Sequence, residues 1–141
     1  MKIILEYQAA TDRMIRTYFI EKIMNGTKLH TIRSPKYSVL DYPVKARHKY
    51  VGVENYKSSL LTDITGFEEL EIIHLKEGSD ALASHGYSPI LIVNNKVLSE
   101  KEALKLAQND GFNSWYAFQK WFDADQSRVI LHFKNLRYGS K

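Results

Sequence analysis

Apolar residues recur along the chain at two different periods, and these periods separate the predicted helices from the predicted strands. Ile15, Phe19 and Ile23 lie four residues apart, which places them on one face of a helix. Gly26 follows at the position where a left-handed residue closes many helices. The pattern predicts a first helix over residues 12–24.

Runs rich in Val, Ile, Thr, Tyr and Phe predict the strands. They cover residues 1–8, 27–33, 49–56, 61–75 and 128–133. Gly66 interrupts the longest run and predicts a bend or bulge there. Ser34-Pro35 ends the second run, so a loop through Pro43 is expected. Asn94-Asn95-Lys96 lies between two shorter apolar runs and has the composition of a tight hairpin turn.

Two helices are predicted between this hairpin and the last strand. Ser99 and Glu102 have the spacing of a capping box, in which each side chain bonds the other residue's amide, and this predicts a helix over residues 100–109. A shorter helix over residues 114–123 is rich in aromatic residues. Aromatic residues at helical spacing usually belong to the core, and we expect that here. The residues concerned are Trp115, Phe118, Trp121 and Phe122.

Composition places the chain among ordinary globular domains. It has 141 residues, of which 44% are apolar and 26% charged, and these values fit one domain with one core. The apolar runs are too short to cross a bilayer, and the first residues lack the features of a secretory signal. Cysteine is absent, which excludes disulfides and thiolate chemistry. We therefore expect a cytoplasmic protein with no membrane partner.

Charge is distributed unevenly along the chain. The net charge is +4, but residues 1–60 carry eleven Lys or Arg against five acids, whereas the remainder carries nine against eleven. Such a segregation predicts a basic face built mostly from the first part of the chain.

Three segments together resemble one known family. Residues 26–33, with Gly26, Lys28, Thr31 and Arg33, resemble the G-x-K-x-x-T-x-R signature of the ASCH domain family. Residues 106–112 running into Trp121-Phe122, and residues 130–138, are similar to longer bacterial and phage members in the same order. The resemblance implies an α+β fold for residues 1–141, a PUA-like mixed β-barrel of about five to seven strands with two to three flanking helices. That fold is proposed to bind RNA.

The resemblance also implies a ligand site at the motif. Lys28, Thr31 and Arg33 are its first members, and His30 lies between them. In a regular strand Thr31 and Arg33 share a face, so Lys28 must lie in a turn or beside a bulge. Asp110 closes a helix in a family-like position, where it either contributes an acid or bonds nearby amides. Arg137 either returns to the same groove or finishes the edge of the sheet.

The basic stretch after the motif suggests phosphate contacts. Its tyrosines offer faces on which bases could stack, whereas the alternative is a solvated basic loop. The predicted phosphate-contacting residues are Arg33, Lys36, Lys45, Arg47 and Lys49, with Tyr37, Tyr42 and Tyr50 as stacking partners.

An enzymatic alternative comes from one branch of the resembled family. That branch hydrolyses acetylcytidine with a lysine, a threonine and a glutamate on a later helix. Lys28 would be the base and Thr31 the nucleophile. The glutamate position falls at or near Ala117, which has no carboxylate. The sequence therefore favours a binding module for RNA or a modified nucleoside over an amidohydrolase, and a protein-interaction role with an unused cleft is a third hypothesis.

No cofactor or metal is expected from the sequence. The histidines do not have the spacing of metal ligands, and no H-E-x-x-H pattern occurs. They are His30, His48, His74, His85 and His132.

Overall fold

The computed structural model describes residues 2–7, 19–50, 59–75 and 87–139. The strands are β1 (Lys2–Tyr7), β2 (His30–Arg33), β3 (Val44–Tyr50), β4 (Ser59–Ile64), β5 (Gly66–Ile73), β6 (Ile90–Val93), β7 (Lys96–Val97) and β8 (Gln126–His132). The α-helices are α1 (Phe19–Met24), α2 (Glu100–Asn109) and α3 (Trp115–Trp121), and a 3-10 helix covers Pro35–Val39. None of the helices in these ranges has the length and apolar character needed to span a membrane.

The strands form two sheets, and the shortest connection between them is a single residue. One sheet has the order β1-β3-β4 and the other β2-β8-β5-β6-β7. β1 and β3 pair in parallel, and the other pairs are antiparallel. Thr65 alone separates β4 from β5, and its amide donates to the His132 carbonyl at 2.8 Å. The expected α+β class is confirmed, but these strands do not form a closed barrel within the described ranges.

Strand β8 is central because it lies between β2 and β5 and is buried on both faces. Val129 and Leu131 pack on one face with Ile64, whereas Ile130 packs on the other face with Leu70. A strand covered on both faces has apolar residues at successive positions, which explains why this run was so clear in the sequence. It supports both core clusters of the fold.

Local signals placed α2 and the hairpin correctly. The Ser99 hydroxyl accepts from the Glu102 amide at 3.2 Å, and the Glu102 carboxylate accepts from the Ser99 amide at 3.0 Å. Asn94 and Asn95 have φ angles of 46° and 69° between β6 and β7, a left-handed pair that suits a tight turn.

The aromatic helix α3 begins at a Ser114 cap, whose hydroxyl accepts from the Ala117 amide. Its Phe118 is fully buried, as expected for the core, and Trp115 stacks on it at 5.1 Å between ring centroids.

Two predicted segments differ from the structure. Residues 35–39, expected as loop, form a 3-10 helix because proline suits its first position and the Ser34 hydroxyl accepts from the Lys36 amide. The strand expected from residue 49 begins at Val44, since Val44 and Ala46 are buried while Lys45 between them is exposed. The first part of the predicted first helix, residues 12–18, and residues 51–56 of a predicted strand lie outside the described residues.

Candidate functional site

Lys28 lies in the turn before β2, as strand alternation required, and it is almost completely buried. Its Nζ donates to the Asp110 carbonyl at 2.5 Å and lies 3.4 Å from the Asp110 carboxylate. A buried ammonium is tolerated only when it is paired and hydrogen-bonded, and Asp110 provides both contacts. The structure therefore brings these two predicted site residues together, away from solvent.

His30 continues this set of contacts through the core. Its Nδ1 lies 2.8 Å from an Asp110 carboxylate oxygen, and its Nε2 lies 2.6 Å from the Tyr138 hydroxyl. Since a carboxylate only accepts, Nδ1 donates and Nε2 accepts from the tyrosine. The Asn109 side-chain amide donates to the same hydroxyl at 3.0 Å.

Burial dominates the ionisation of these groups. It lowers the pKa of His30, although the hydrogen bond to Asp110 acts in the opposite direction. It raises the pKa of Tyr138 well above the usual range. Both side chains are therefore neutral at pH 7, which agrees with the donor and acceptor roles above.

Glu68 and His132 extend this set of buried polar contacts on the neighbouring strands. His132 lies opposite His30 in the β2–β8 register, and their rings meet edge to face at 5.4 Å. The Glu68 carboxylate lies 2.8 Å from His132 Nε2 and accepts from the Tyr138 and Gly139 amides at 2.8 Å each. His132 Nδ1 is buried without a hydrogen-bond partner.

The pKa shifts of Glu68 and His132 follow from the same contacts. Burial alone raises the pKa of Glu68, but the hydrogen bonds from His132 and the two amides outweigh it, and the pKa is lowered. Burial also lowers the pKa of His132. We call the whole set the buried polar network: Lys28, His30, Glu68, Asn109, Asp110, His132 and Tyr138.

The turn between α1 and β2 is fastened to the end of α2 beside this network. Lys22 Nζ donates to the Gly111 carbonyl at 2.5 Å and to the Asn113 side chain at 2.7 Å. The Leu29 amide donates to the Asn109 carbonyl at 2.6 Å. Burial, and then the charge of Lys28, lowers the pKa of Lys22. The motif thus joins distant segments of the chain at this point.

Thr31 faces the other side of β2 and is also buried. It lies opposite Leu131, and its hydroxyl accepts from Arg33 Nε at 3.2 Å. Neither Lys28 nor Thr31 reaches solvent, so the arrangement presents no accessible base and nucleophile. Ala117, at the position of the expected glutamate, is buried in the apolar core.

Arg33 and Lys36 lie at a different place, in a cavity of about 640 Å³ that we call the basic pocket. One side is formed by the end of β2 and the 3-10 helix, and the other by the end of α3 and the start of β8. Its lining residues are Ile32, Arg33, Ser34, Lys36, Tyr37, Trp121, Phe122, Asp123, Ala124, Gln126 and Arg128.

Two cations of the basic pocket, Lys36 and Arg128, are held by neutral groups. Lys36 Nζ lies 5.3 Å from the centre of the Tyr37 ring, within the range of a cation–π contact. Arg128 Nε donates to the Gln126 side-chain oxygen at 2.8 Å, and the Gln126 amide donates to the Ala124 carbonyl at 2.9 Å. Within the described residues neither Lys36 nor Arg128 has a carboxylate within salt-bridge distance.

The loop that leads into β8 is fixed by His74 at the end of β5. His74 Nε2 lies 2.7 Å from the Phe122 carbonyl, so it donates there, and the His74 amide donates to the Asp125 carboxylate at 2.6 Å. Phe122, Asp123 and Ala124 therefore line the pocket from a backbone that is held on both sides.

The remaining predicted residues lie elsewhere. Lys45 is exposed and forms an ion pair with Asp63 at 3.5 Å. Arg137 bonds the Leu136 carbonyl at 2.7 Å and the Thr65 hydroxyl at 3.3 Å, so it closes the junction between the sheets. Arg47 and Lys49 belong to β3, but their side chains lie outside the described part.

Sequence reasoning missed one side of the pocket and half of the network. Asp123, Gln126 and Arg128 were not singled out, although the sequence places them together at the entry to the last strand. Glu68 and Asn109 carried no signal, because their importance depends on partners far away in the chain. A cue existed for His132, since a histidine within an apolar strand must find a polar partner when buried.

Among the described residues, no group of three or more His, Asp or Glu side chains is arranged to hold a metal ion. Comparison of the chain with protein-family models, with curated proteins and with solved structures returns no match. The resemblance to the ASCH family therefore rests on the sequence motifs alone.

Proposed function

We propose that the chain binds a nucleotide or a short single-stranded RNA segment in the basic pocket, as an ASCH-like domain with a PUA-related fold. One observation carries the proposal: Arg33, Lys36 and Arg128 line a single cavity together with aromatic side chains. Cations serve phosphate oxygens and aromatic rings serve bases, which is the combination that single-stranded nucleic acid requires.

The charge of the pocket supports an anionic ligand. In the described part of the lining, Asp123 is the one acid, against three cations. Lys36 and Arg128 contact aromatic or amide groups, and no carboxylate of the described residues forms an ion pair with either of them. A concave site with an excess of positive charge concentrates the field and attracts anions.

The motif residues divide between two roles in this proposal. Arg33 contacts the ligand, and Thr31 orients it through the hydrogen bond to its Nε. Lys28, His30 and Asp110 hold the turn before β2 in place, so they act on the pocket through the backbone. Lys28, expected from the motif to bind the ligand, instead supports the structure of the turn in this proposal.

A salt titration of RNA binding tests the proposal. Fluorescence anisotropy of a labelled single-stranded RNA should give a Kd that rises with salt, because phosphate binding to the cations releases counterions. Replacing Lys36 or Arg128 by Gln should weaken binding about tenfold, the size of one charged hydrogen bond. Lys105→Gln, an exposed change outside the pocket lining, is the matched control.

Two outcomes would count against it. Absence of binding to RNA or nucleotides at low ionic strength would refute the proposal, as would binding that Lys105→Gln weakens as much as Arg128→Gln. Incubation with acetylcytidine separates the enzymatic alternative, because turnover that disappears in Lys28→Met with the fold intact requires a lysine base.

A further inference from the structure

We infer that the basic pocket recognises a terminal phosphate monoester on a single nucleotide, either a free mononucleotide or the phosphorylated end of a strand. This inference rests on the proposed function and specifies which part of a nucleic acid enters the pocket. Both sources present the same chemical group, a dianionic phosphate beside one base.

Charge balance favours the chain end. Among the lining residues that the structure describes, three cations and one acid give a net charge of +2. A phosphate monoester carries a charge of about −1.5 to −2 at pH 7. An internal phosphodiester carries a single negative charge, so it would leave part of the pocket charge unmatched.

The size of the cavity favours a single nucleotide. Its volume of about 640 Å³ lies in the middle of the range for small-molecule sites. Sites for longer single strands are grooves that follow the backbone over several nucleotides. The described lining residues come from four neighbouring segments, and an open cavity of this size suits one base with its phosphate.

Both arginines are oriented before any ligand arrives. Arg33 donates through Nε to Thr31, and Arg128 donates through Nε to Gln126. Within the described part of the chain, the terminal nitrogens of Arg128 have no hydrogen-bond partner, so this edge of its fork is available for a phosphate. Restricting these side chains in advance lowers the entropy cost of binding, and the planar fork matches phosphate oxygens in pairs.

The aromatic side of the pocket is also fixed. Trp121 packs against Phe112 at 6.0 Å between ring centroids, and it stands at the end of α3 where His74 anchors the following backbone. The packed indole of Trp121 and the guanidinium fork of Arg128 line the same cavity, and together they suit a base and a phosphate held a short distance apart.

Calorimetric titration with matched ligands tests the inference. The ligands are a nucleoside, its 5′-monophosphate, and a short RNA carrying either a 5′-phosphate or a 5′-hydroxyl. We expect the phosphate to tighten binding between tenfold and about a hundredfold in each pair, as for one or two charged hydrogen bonds. A stronger effect in the mononucleotide pair identifies the free nucleotide as the ligand, and a stronger effect in the RNA pair identifies the strand end.

Variants locate the effect in the pocket. Arg128→Gln should reduce the phosphate preference at least fivefold, whereas Arg128→Lys keeps the charge but lacks the fork and should recover part of it. Lys36→Gln changes an exposed residue and serves where Arg128→Gln fails to fold. Lys105→Gln should leave the preference unchanged.

The failures are distinguishable. If hydroxyl-ended RNA binds as tightly as phosphorylated RNA, and nucleoside as tightly as nucleotide, the inference is wrong while the proposed function stands. If none of the ligands binds, the proposed function itself is wrong. A phosphate preference that survives both Arg128→Gln and Lys36→Gln also overturns the inference, because the phosphate is then bound elsewhere.

Discussion

The buried polar network and the basic pocket both adjoin strand β2, but the two differ in whether charged side chains are paired with opposite charges. In the network, Lys28 and His30 meet Asp110 in the interior, and every charge has a partner. In the pocket, Lys36 and Arg128 keep their charge facing a cavity without a carboxylate partner among the described residues. The comparison teaches that one short strand can border an interior where charges are paired and a cavity where two cations lie without a carboxylate partner in the described part of the chain.

The largest expected effect comes from breaking the network at its ion pair. Lys28→Ala leaves the Asp110 carboxylate buried without its ammonium, which should lower the free energy of unfolding by about 3–5 kcal/mol. Urea unfolding measures this, with the exposed Lys105→Ala as control. A loss below about 1 kcal/mol would contradict the role assigned to Lys28, given that buried charges are costly.

A smaller loss is expected when one hydroxyl of the network is removed. Tyr138→Phe leaves His30 Nε2 and the Asn109 amide without their shared partner. The free energy of unfolding should fall by about 1–3 kcal/mol. Affinity for the pocket ligand should stay within twofold, so a large change in Kd with unchanged stability would break the separation between the two regions.

Lowering the pH should reduce the free energy of unfolding through the buried polar network and not through the basic pocket. Because burial lowers the pKa of His30 and of His132, the stability they contribute is complete above the ordinary value of 6.5 and is lost as the pH falls below it. The slope should not exceed about 1.4 kcal/mol per pH unit for each histidine. Glu68, whose pKa is also lowered, adds a further loss below its ordinary value of 4.5.

Urea unfolding at a series of pH values measures that profile. Lys36→Gln in the pocket should leave its shape unchanged, whereas His132→Gln should flatten it above pH 5. A stability that is constant between pH 7 and pH 5 would show that the histidines are not held neutral by burial.

The smallest expected effect concerns orientation within the pocket. Gln126→Ala removes the acceptor that holds Arg128 Nε, and binding should weaken about twofold to fivefold, less than for Arg128→Gln. In the double variant the two effects should not add, because Gln126 acts through Arg128. Additive losses would show that Gln126 contacts the ligand itself.

Much of the fold could be predicted from local patterns. The capping box at Ser99, the Asn94-Asn95 turn and the apolar run of β8 all depend on residues that are neighbours in the chain. The start of β3 could not, because Lys45 interrupts the buried pair Val44 and Ala46 and makes the segment resemble a basic loop. The start of such a strand can be recognised only when the strand that pairs with it is known.

The candidate site was harder to predict for the same reason. The motif pointed to Arg33 and the basic stretch to Lys36, and both line the pocket. The motif pointed equally to Lys28, whose partner Asp110 lies 82 residues away. Tyr138, whose hydroxyl donates to His30 Nε2, lies 108 residues away from it in the chain. A lysine or histidine in a motif looks the same in the sequence whether it meets a ligand or a carboxylate of its own chain, since only the tertiary partner decides.

The passage from β4 to β5 through Thr65 has a mechanical consequence. One uninterrupted length of chain is an edge of the first sheet and an inner strand of the second, and Arg137 clamps its midpoint. Neither sheet can separate from its neighbours without pulling on the other, so heat or denaturant should disrupt the two in one cooperative step.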